Sequence, residues 1–503
     1  MYDVLVIGGG INGAGIARDA AGRGLSVLLV EQGDLAQATS SASTKLIHGG
    51  LRYLEQYDFK LVAEALAERE RLLKSASHII WPLKFVIPHE PHLRPRWMIR
   101  AGLWLYDMLG GRRTILPSSR AFKLTDGKYG APLQGRYRYG FCYADCWVDD
   151  ARLVVTNALD ALAKGAVIKT RTACTQLSAH EHEDKWRASL KDMNTGAETT
   201  IEARTVINAA GPWVRRLLEH NDLAHEKTYD LRLSKGSHII VPRLYEGDHA
   251  YLLQQPDGRI VFTIPYEHNY TMIGTTDVDY QGDPNAAQIN DDEIDYLCEA
   301  ASRSLNASVK PADIIHTFSG VRGLLDSGDD NLSEVTRDYK LDLDTSRGVG
   351  ILNIFGGKIT TYRKLAEQAV NKIAPLLDNK HGSWTKGATM AGGDIAGADF
   401  IGFFDRLSDQ YDWLDVKVLY RLARQYGSRI NRILGDAQGV QDLGTHFGDH
   451  VYEAEIKYLV DFEWAQTAED ILWRRTKLLL HTSPETQKAI ADYLSKRNEE
   501  AAA

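Results

Sequence analysis

The chain has 503 residues, 44% of them hydrophobic and 25% charged, with a formal net charge of −8. This composition is ordinary for a soluble protein of about two to four globular domains, and it excludes intrinsic disorder as the main state. A net acidic chain is also a poor candidate for general nucleic-acid binding, so no nucleic-acid partner is expected.

The four cysteines form no C-x-x-C pair, so neither a zinc site nor a redox disulfide is predicted, and no metal is expected. The first apolar run lacks a preceding basic segment, and no run of 18 apolar residues follows anywhere. We therefore expect a cytoplasmic protein with reduced thiols, no secretory signal and no membrane-spanning helix.

The chain opens with a βαβ unit: a strand over residues 4–7, a helix over 11–23 and a strand over 26–30. Further along, helices are predicted over 58–74 and 151–164, the latter capped by Asp149 or Asp150. Short runs rich in Ile, Val, Tyr and Thr then predict an antiparallel sheet in the middle of the chain, with strands over 237–241, 251–255, 259–264 and 271–274. Beyond about residue 386 the periodicity is helical, and Gly392 and Gly393 are predicted to form a linker.

A dinucleotide signal occupies the first turn. Gly8, Gly10 and Gly13 form G-x-G-x-x-G between a strand and a helix. This spacing allows a tight turn, close approach of a pyrophosphate and close packing of the helix on the strand. Glu31 ends the second strand, where a carboxylate can accept hydrogen bonds from ribose hydroxyls. An acid there favours an unphosphorylated ribose, hence NAD or FAD over NADP.

Three later segments decide between FAD and NAD. Residues 39–53 are dense in hydroxyl residues and glycines, and 206–213 and 355–363 are further strand-to-turn elements with small residues. Together with the first turn, the stretches GGGINGAGIA, TSSASTKLIHGGLRYL, CWVDDARL, KGSHI, GTTD, SGVR and FGGKITTYRK resemble the FAD-dependent glycerol-3-phosphate dehydrogenases, in particular the aerobic, quinone-linked bacterial enzymes, within the D-amino-acid oxidase-like flavoproteins. The resemblance covers nearly the whole chain.

This resemblance implies a fold that combines α/β and α+β parts. A Rossmann-like FAD-binding domain would be assembled from residues 1–80, 146–230 and 315–385. A substrate domain with an antiparallel sheet, residues 81–145 and 231–314, would be inserted between those segments. A helical C-terminal domain would follow over 386–503.

The implied reaction is oxidation of sn-glycerol 3-phosphate to dihydroxyacetone phosphate, with FAD as cofactor and a membrane quinone as final acceptor. The residues expected to contact FAD are Gly8, Gly10, Gly13, Glu31, Ser40, Ser41, Thr44, Lys45, His48, Gly49, Gly50, Ala173, Ala210, Gly211, Gly357, Lys358 and Thr360. The protein would attach peripherally to the inner face of the cytoplasmic membrane, and a homodimer is left open.

The substrate carries a phosphate dianion, which an arginine fork binds well. Arg52 and Arg322 match family positions assigned to that phosphate, and Tyr53 is expected beside the substrate. The reaction also needs a group that accepts the hydroxyl proton, and histidine is the usual choice near neutral pH. His238 matches a family active-site position, with His48 as the rival. Lys358 is expected to stabilise negative charge near the flavin or the substrate oxygen.

Residues 91–113 carry five arginines against one acid, Asp107, a local net charge of +4. Aromatic and aliphatic residues alternate with these charges: Trp97, Ile99, Leu103, Trp104 and Leu105. This pattern predicts an amphipathic helix that lies on anionic lipid rather than crossing it. A buried helix with basic flanks is the alternative.

Three other functions compete with the dehydrogenase. A glycerol-3-phosphate oxidase would pass electrons to O₂ instead of a quinone. An amine or amino-acid oxidase of the same fold would need one arginine for a carboxylate instead of two for a phosphate. A flavin-containing protein that acts on tRNA is disfavoured by the acidic charge. GTTD, a family signature, is expected to form a turn stabilised by its aspartate.

Overall fold

The computed structural model describes residues 1–502 except 55–56, 91–93, 112–113, 126, 181–183 and 326–337; the side chains of Arg52, Ala501 and Ala502 are also outside the description. The strands are β1 (Tyr2–Ile7), β2 (Val27–Val30), β3 (Leu46–Ile47), β4 (Ile80–His89), β5 (Arg120–Lys123), β6 (Tyr139–Val148), β7 (Val167–Lys169), β8 (Thr172–His180), β9 (Lys185–Asp192), β10 (Glu198–Asn208), β11 (Leu231–Pro242), β12 (His249–Gln254), β13 (Ile260–Tyr266), β14 (Tyr270–Gly274), β15 (Val278–Asp279), β16 (His316–Leu325), β17 (Tyr339–Asp344), β18 (Gly350–Gly356), β19 (His446–Gly448) and β20 (Val451–Tyr452).

The α-helices are α1 (Ile11–Gly22), α2 (Phe59–Ser75), α3 (Arg96–Leu109), α4 (Asp150–Ala163), α5 (Val214–His220), α6 (Asp291–Ser304), α7 (Tyr362–Ile373), α8 (Phe400–Gln410), α9 (Val416–Tyr426), α10 (Asn431–Leu434), α11 (Glu453–Glu463) and α12 (Pro484–Ala502). None of the helices described is both long and apolar enough to cross a bilayer.

The first sheet has the order β17-β18-β10-β1-β2-β7, parallel from β18 to β7, and the β8–β9 hairpin extends it through β10. The four strand residues of β2 and four of the six in β1 are buried, as expected for a parallel sheet covered on both faces. Residues of α1, α4 and α7 share one hydrophobic core with this sheet. The sequence-predicted βαβ unit is the centre of that arrangement.

The second sheet has the order β15-β11-β14-β13-β12-β4-β6-β3 and is antiparallel except between β12 and β4. β5 pairs with β6, and β16 pairs with β11 along ten residues. The proposed boundaries place β16 with the nucleotide-binding segments, whereas its hydrogen bonds lie in this second sheet. A tight turn joins β12 and β13, with Gly258 at φ +82°.

The C-terminal domain contains α8–α12, the short β19–β20 hairpin and a hydrophobic core of its own. The two glycines predicted as a linker before it are packed rather than loose. Gly392 and Gly393 are buried, and a Cβ on Gly393 would lie 2.1 Å from the carbonyl oxygen of Ser75. The domain is therefore joined closely to the end of α2.

Candidate functional site

The turn after β1 closes too tightly for any side chain. Gly8 has φ +115°, and a Cβ there would lie 2.5 Å from the carbonyl oxygen of Ala209. A Cβ on Gly13 would lie 1.9 Å from the carbonyl oxygen of Gly8. Because such contacts are sterically forbidden, the meeting of β1, α1 and the turn after β10 requires glycine at both positions. This places the N-terminus of α1, preceded by Gly10, at the edge of the sheet.

A cavity of about 1190 Å³ opens beside this turn. Its walls come from the glycine turn, the loop after β2, the turn after β10 and residues 318–321 of β16. The C-terminal domain contributes Glu469, Trp473 and Arg474. The predicted FAD-contact residues that line this cavity are Gly8, Gly10, Glu31, Ser40, Ser41, Ala210 and Gly211.

Glu31 connects two backbone turns at the cavity wall. One carboxylate oxygen accepts the N–H of Gly9 at 2.6 Å, and the other accepts the N–H of Gly33 at 2.8 Å. Burial raises the pKa of Glu31, and these two hydrogen bonds oppose the shift. Each carboxylate oxygen keeps a second lone pair, so ribose hydroxyls can still donate to Glu31.

Lys45 is buried in an ion pair and does not line the cavity. Its Nζ lies 2.7 Å from Oδ1 of Asp150 and donates to the carbonyl oxygen of Ser41 at 2.9 Å. Asp150 also accepts the hydroxyl of Ser43 at 2.7 Å. The helix cap that the sequence left open is Asp149, which accepts the N–H of Arg152. Asp150 thereby holds the hydroxyl-rich loop in place.

His238 of β11 lies against the same loop. Its Nε2 is 3.0 Å from the hydroxyl of Thr44, and its ring stacks on Phe318 with 4.7 Å between centroids. Burial, with added repulsion from Lys45 and Arg322, lowers the pKa of His238 to about 3. The imidazole is therefore neutral at neutral pH.

Arg322 lies on β16 opposite Ser234 of β11. Its Nη2 is 3.5 Å from Oδ1 of Asp277, and the side chain remains 31% exposed. Asp277 also accepts the hydroxyl of Ser234. A Cβ on Gly236 would lie 2.9 Å from the guanidinium, so the missing side chain leaves room for it. Asp277, the aspartate of the GTTD stretch, is therefore a partner of Arg322. The expectation of a stabilised turn did not include this role.

Glu293 forms a buried polar network that the sequence did not predict. One carboxylate oxygen accepts the hydroxyls of Ser237 at 2.9 Å and Thr276 at 2.8 Å, and the other lies 2.8 Å from Nζ of Lys235. Burial opposes ionisation of Glu293, but these partners lower its pKa overall. The capping-box spacing from Asn290 marks the start of α6, but it carries no information about these contacts.

The segment after β3 is held by bonds to its backbone. The N–H of His48 donates to the hydroxyl of Thr360 at 3.2 Å, and that of Gly49 donates to the hydroxyl of Tyr106 at 2.8 Å. The N–H of Gly50 donates to Nδ1 of His48 at 3.1 Å. The neutral His48 ring consequently carries its proton on Nε2.

Tyr106 belongs to α3, the helix predicted to touch the membrane, but its side chain points into the protein. Its hydroxyl donates to Asp145 at 2.8 Å, and Asp145 lies 2.6 Å from Nη1 of Arg69. Burial, reinforced by Asp145, raises the pKa of Tyr106 far above its usual value. No local pattern links Tyr106 to a glycine 57 residues earlier, so this contact could not be predicted from the sequence.

Residues 355–363, the last of the three predicted loop segments, contact the start of α1 through Gly356. The side-chain amide of Asn12 donates to the carbonyl oxygen of Gly356 at 3.2 Å, and Gly357 has φ +110°. Nζ of Lys358 lies 4.0 Å from the centre of the Tyr53 ring. Tyr53 and Lys358, predicted separately, are therefore neighbours. The backbone of Arg52 lies in a short 3₁₀ turn, and its side chain is outside the described part of the structure.

Comparison with known proteins identifies the family. The model for FAD-dependent oxidoreductases matches residues 3–363, and the model for the C-terminal domain of alpha-glycerophosphate oxidase matches residues 383–499. The chain belongs to the FAD-dependent oxidoreductase family. FAD is its cofactor, and the predicted α/β nucleotide-binding fold with a helical C-terminal domain is confirmed.

Individual relatives agree with this assignment. The chain is 52% identical to a glycerol-3-phosphate dehydrogenase of Pseudomonas aeruginosa, covering 98% of the chain and 95% of that protein. It is 49% identical to a D-erythritol 1-phosphate dehydrogenase of Brucella abortus, covering 99% and 98%. The crystal structure of a glycerol-3-phosphate dehydrogenase from Bacillus halodurans complexed with FAD superposes with a TM-score of 0.78 at 28% identity, covering 99% and 90%. The resemblance to the FAD-dependent glycerol-3-phosphate dehydrogenases is thereby confirmed.

The residues at the cavity fit this family's cofactor. The glycine turn provides a cradle that a side chain would fill, and the start of α1 can bind a pyrophosphate. Ser40 accepts the first N–H of α1 at 3.0 Å. Ala173 lies between Thr172 and Cys174, which line the cavity, but Ala173 itself does not line it. Contacts of FAD with the individual residues remain predictions.

Proposed function

We propose that this oxidoreductase converts sn-glycerol 3-phosphate to dihydroxyacetone phosphate, and that a membrane quinone reoxidises its flavin. One observation carries the proposal. In a chain 52% identical to a glycerol-3-phosphate dehydrogenase, a partly exposed Arg322 and a neutral His238 occupy adjacent strands beside the FAD cavity. A cation for a phosphate and a base for an alcohol are the two groups that this substrate requires.

Arg322 would bind the phosphate. Asp277 lies beside its guanidinium, and the arginine side chain remains 31% exposed. The guanidinium is a planar fork of N–H donors, a shape that suits the oxygens of a phosphate. Arg52 would supply the second cation, since it follows the His48–Gly50 segment that Thr360 and Tyr106 hold in place. Tyr53 and Lys358 would close that side of the substrate.

His238 is the stronger candidate for the proton acceptor. Its Nδ1 has no hydrogen-bond partner among the described residues, although the ring is fully buried. His48, in contrast, uses Nδ1 to accept an N–H, so its proton lies on Nε2. A ring nitrogen that already carries a proton cannot accept the substrate proton. When bound, FAD accepts the hydride that leaves the substrate carbon.

An anaerobic titration tests the substrate. The purified yellow protein is mixed with sn-glycerol 3-phosphate, D-erythritol 1-phosphate or glycine, and loss of flavin absorbance near 450 nm is followed. We expect stoichiometric bleaching at the lowest concentration with sn-glycerol 3-phosphate. A preference for D-erythritol 1-phosphate, the compound in the name of the Brucella relative, would show that the proposed substrate is wrong. Bleaching by glycine alone would indicate an amino-acid oxidase.

A second addition identifies the acceptor. The reduced protein receives either a short-chain ubiquinone under argon or air-saturated buffer. Rapid reoxidation by the quinone and slow reoxidation by O₂ are expected for a dehydrogenase. Rapid reoxidation by O₂ with peroxide production would instead make the protein a glycerol-3-phosphate oxidase.

We propose that α3 attaches the protein to lipid on the cytoplasmic side of the membrane. Trp97, Trp104 and Met108 are 70%, 56% and 56% exposed and lie on one face of this helix. Leu103 and Tyr106 on the opposite face are buried in the protein. Leu103, which the sequence analysis placed with the lipid-facing side chains, therefore belongs to the core. Exposed tryptophans next to arginines are typical of an interfacial helix.

Vesicle co-sedimentation tests this attachment. Replacing Trp97 and Trp104 with Glu removes the aromatic contacts and adds negative charge, so binding to vesicles of phosphatidylethanolamine and phosphatidylglycerol should be lost. Ile401 and Val416, exposed in the C-terminal domain, provide a matched double-Glu control that should still bind. Activity with a soluble dye should survive in both variants. Unchanged sedimentation of the tryptophan variant would reject α3 as the lipid contact.

A further inference from the structure

The C-terminal domain reaches the cofactor cavity through one short element. Residues Asp470–Arg475 form a π-helix, a rare conformation that often occurs at functional sites. Ile471 and Leu472 are buried in the core of the C-terminal domain. Trp473 and Arg474 line the FAD cavity instead. The element therefore presents one side to its own domain and the other to the cofactor site.

Trp473 offers an aromatic surface to that cavity. Its ring is half-buried and packs against His316, with 4.3 Å between ring centroids, and against Phe318 at 6.1 Å. Phe318 is the residue on which His238 stacks. Planar rings such as those of FAD gain favourable contacts from an indole placed at the edge of their site.

The two arginines of the same element bind the loop that follows β2. Asp34 is fully buried. Its carboxylate accepts hydrogen bonds from Nε of Arg474 at 2.7 Å and from both terminal nitrogens of Arg475 at 2.7 Å. Asp470 lies 2.8 Å from Nη2 of Arg171. The backbone N–H of Arg171 in turn donates to the carbonyl oxygen of Gly33 at 2.8 Å.

These contacts converge on the cavity wall that carries Glu31. Gly33, which donates to Glu31, is adjacent to Asp34 in the chain. A backbone donor and arginine partners hold the pKa of Asp470 at about 2 despite burial, so Asp470 stays ionised at neutral pH. Removing one buried charge from such a cluster leaves its partners uncompensated, so the position of the loop depends on the C-terminal domain.

We propose that the C-terminal domain forms a wall of the FAD site, with Trp473 as a cofactor-contact residue and Asp34, Arg474 and Arg475 as positioning residues for the Glu31 loop. The domain is then required for flavin retention and is more than an appended helical module. The proposal depends on FAD as cofactor and is independent of which phosphorylated alcohol is oxidised.

Flavin affinity tests the contact. Apoprotein of Trp473→Ala is titrated with FAD and followed by quenching of flavin fluorescence. The dissociation constant should rise roughly 5- to 10-fold, about 1–1.4 kcal/mol, and Trp473→Phe should recover most of that loss. Trp413→Ala is the matched control, because Trp413 is equally half-buried in the same domain but does not line the cavity. An unchanged dissociation constant in Trp473→Ala would overturn the assignment.

A second pair of variants tests the positioning cluster. Asp34→Asn should raise the dissociation constant for FAD at least 10-fold. Glu455→Gln removes a similar buried carboxylate, which pairs with Arg421 inside the C-terminal domain, and should leave flavin affinity unchanged. Affinities are compared with the Tm of each apoprotein. If both variants lose affinity in proportion to their loss of Tm, the cluster acts through general stability and the positioning role is wrong. Should Asp34→Asn fail to fold, Arg474→Lys, which keeps the charge and loses the fork, takes its place.

Discussion

The cofactor end of this site and the end that we propose binds the substrate, called the substrate end, depend on different kinds of atoms. At the cofactor end, the decisive atoms belong to the backbone: Gly8 and Gly13 allow three chain segments to approach within distances that a Cβ would forbid. At the substrate end, the decisive atoms belong to charged side chains, as in the buried pair Lys45–Asp150 and the partly exposed pair Arg322–Asp277.

This difference determines how each end can fail. A backbone approach is limited by steric exclusion, so one added methyl group is enough to prevent it. A buried ion pair is limited by desolvation, so removal of one partner leaves a charge that nothing compensates. The cofactor end is therefore sensitive to an added methyl group, and the substrate end is sensitive to the loss of a charged partner.

The largest effect is expected from an added methyl group at the cofactor end. Gly13→Ala should yield colourless protein or none, because its Cβ would lie 1.9 Å from a carbonyl oxygen. Gly102→Ala is the matched control, because it also replaces a helical glycine and its Cβ would have nothing within 4 Å. Its free energy of unfolding should rise by roughly 0.5–1 kcal/mol. The ratio of flavin to protein absorbance and the Tm report both outcomes. A yellow Gly13→Ala protein would contradict the steric account.

The next largest effect is expected from a removed charge at the substrate end. Lys45→Met should lower the free energy of unfolding by about 3–5 kcal/mol, since Asp150 would remain buried and unpaired. Adding Asp150→Asn should restore part of this loss. Arg215→Ala, which removes exposed ion pairs with Glu219 and Asp230, should cost only about 0.2–1 kcal/mol for each pair. Urea unfolding curves of the four proteins measure these differences.

The same contrast explains which parts of the fold the sequence could predict. The βαβ unit, the antiparallel strands and the cap of α4 depend on residues a few positions apart, so periodicity and turn chemistry located them within two or three residues at most ends. The partner of β16 depends on β11, about 80 residues away, and no periodic pattern encodes it. The linker glycines likewise gave no sign that they would be buried against α2.

The site divides in the same way. Gly8, Gly10 and Glu31 were predictable because their spacing is itself the signal. His238 and Arg322 were reached only through family resemblance, and their partners Thr44 and Asp277 lie in separate motifs whose proximity is a property of the second sheet. Residues held by long-range contacts, among them Tyr106, Glu293 and Trp473, had no sequence signal beyond a buried or amphipathic position.

A smaller effect is expected where the substrate meets Arg322. Arg322→Ala should lower kcat/KM for sn-glycerol 3-phosphate roughly 10- to 150-fold, the loss of one charge-assisted contact of about 1.5–3 kcal/mol. KM should carry most of the change if the phosphate is held alike in the ground and transition states. Flavin content should stay normal. Arg52→Ala should behave similarly. Arg232→Ala, which removes another Arg–Asp pair from the same sheet, is the control and should change kcat/KM less than about 2-fold. Wild-type kcat/KM in both Arg322→Ala and Arg52→Ala would reject the phosphate assignment.

The smallest effect concerns the pH dependence of stability at the substrate end. Burial lowers the pKa of His238 to about 3, whereas an unfolded chain titrates this group near 6.5. Between these values the unfolded chain binds one more proton than the folded chain. The contribution of His238 is therefore complete above about pH 6.5 and is lost as the pH falls toward 3. The slope is roughly 1.4 kcal/mol per pH unit for one proton.

Buried His78 and His249 shift in the same direction, so they add to the wild-type slope. His238→Gln should reduce this slope by one proton's share while also lowering stability at every pH through imperfect packing. His381→Gln, at an exposed position, should leave the slope unchanged. Urea midpoints and m-values measured from pH 7 to pH 4 give the slopes. A slope in His238→Gln equal to that of the wild type would show that His238 takes up its proton in the folded protein, and the substrate end would then hold a titrating histidine rather than a neutral one.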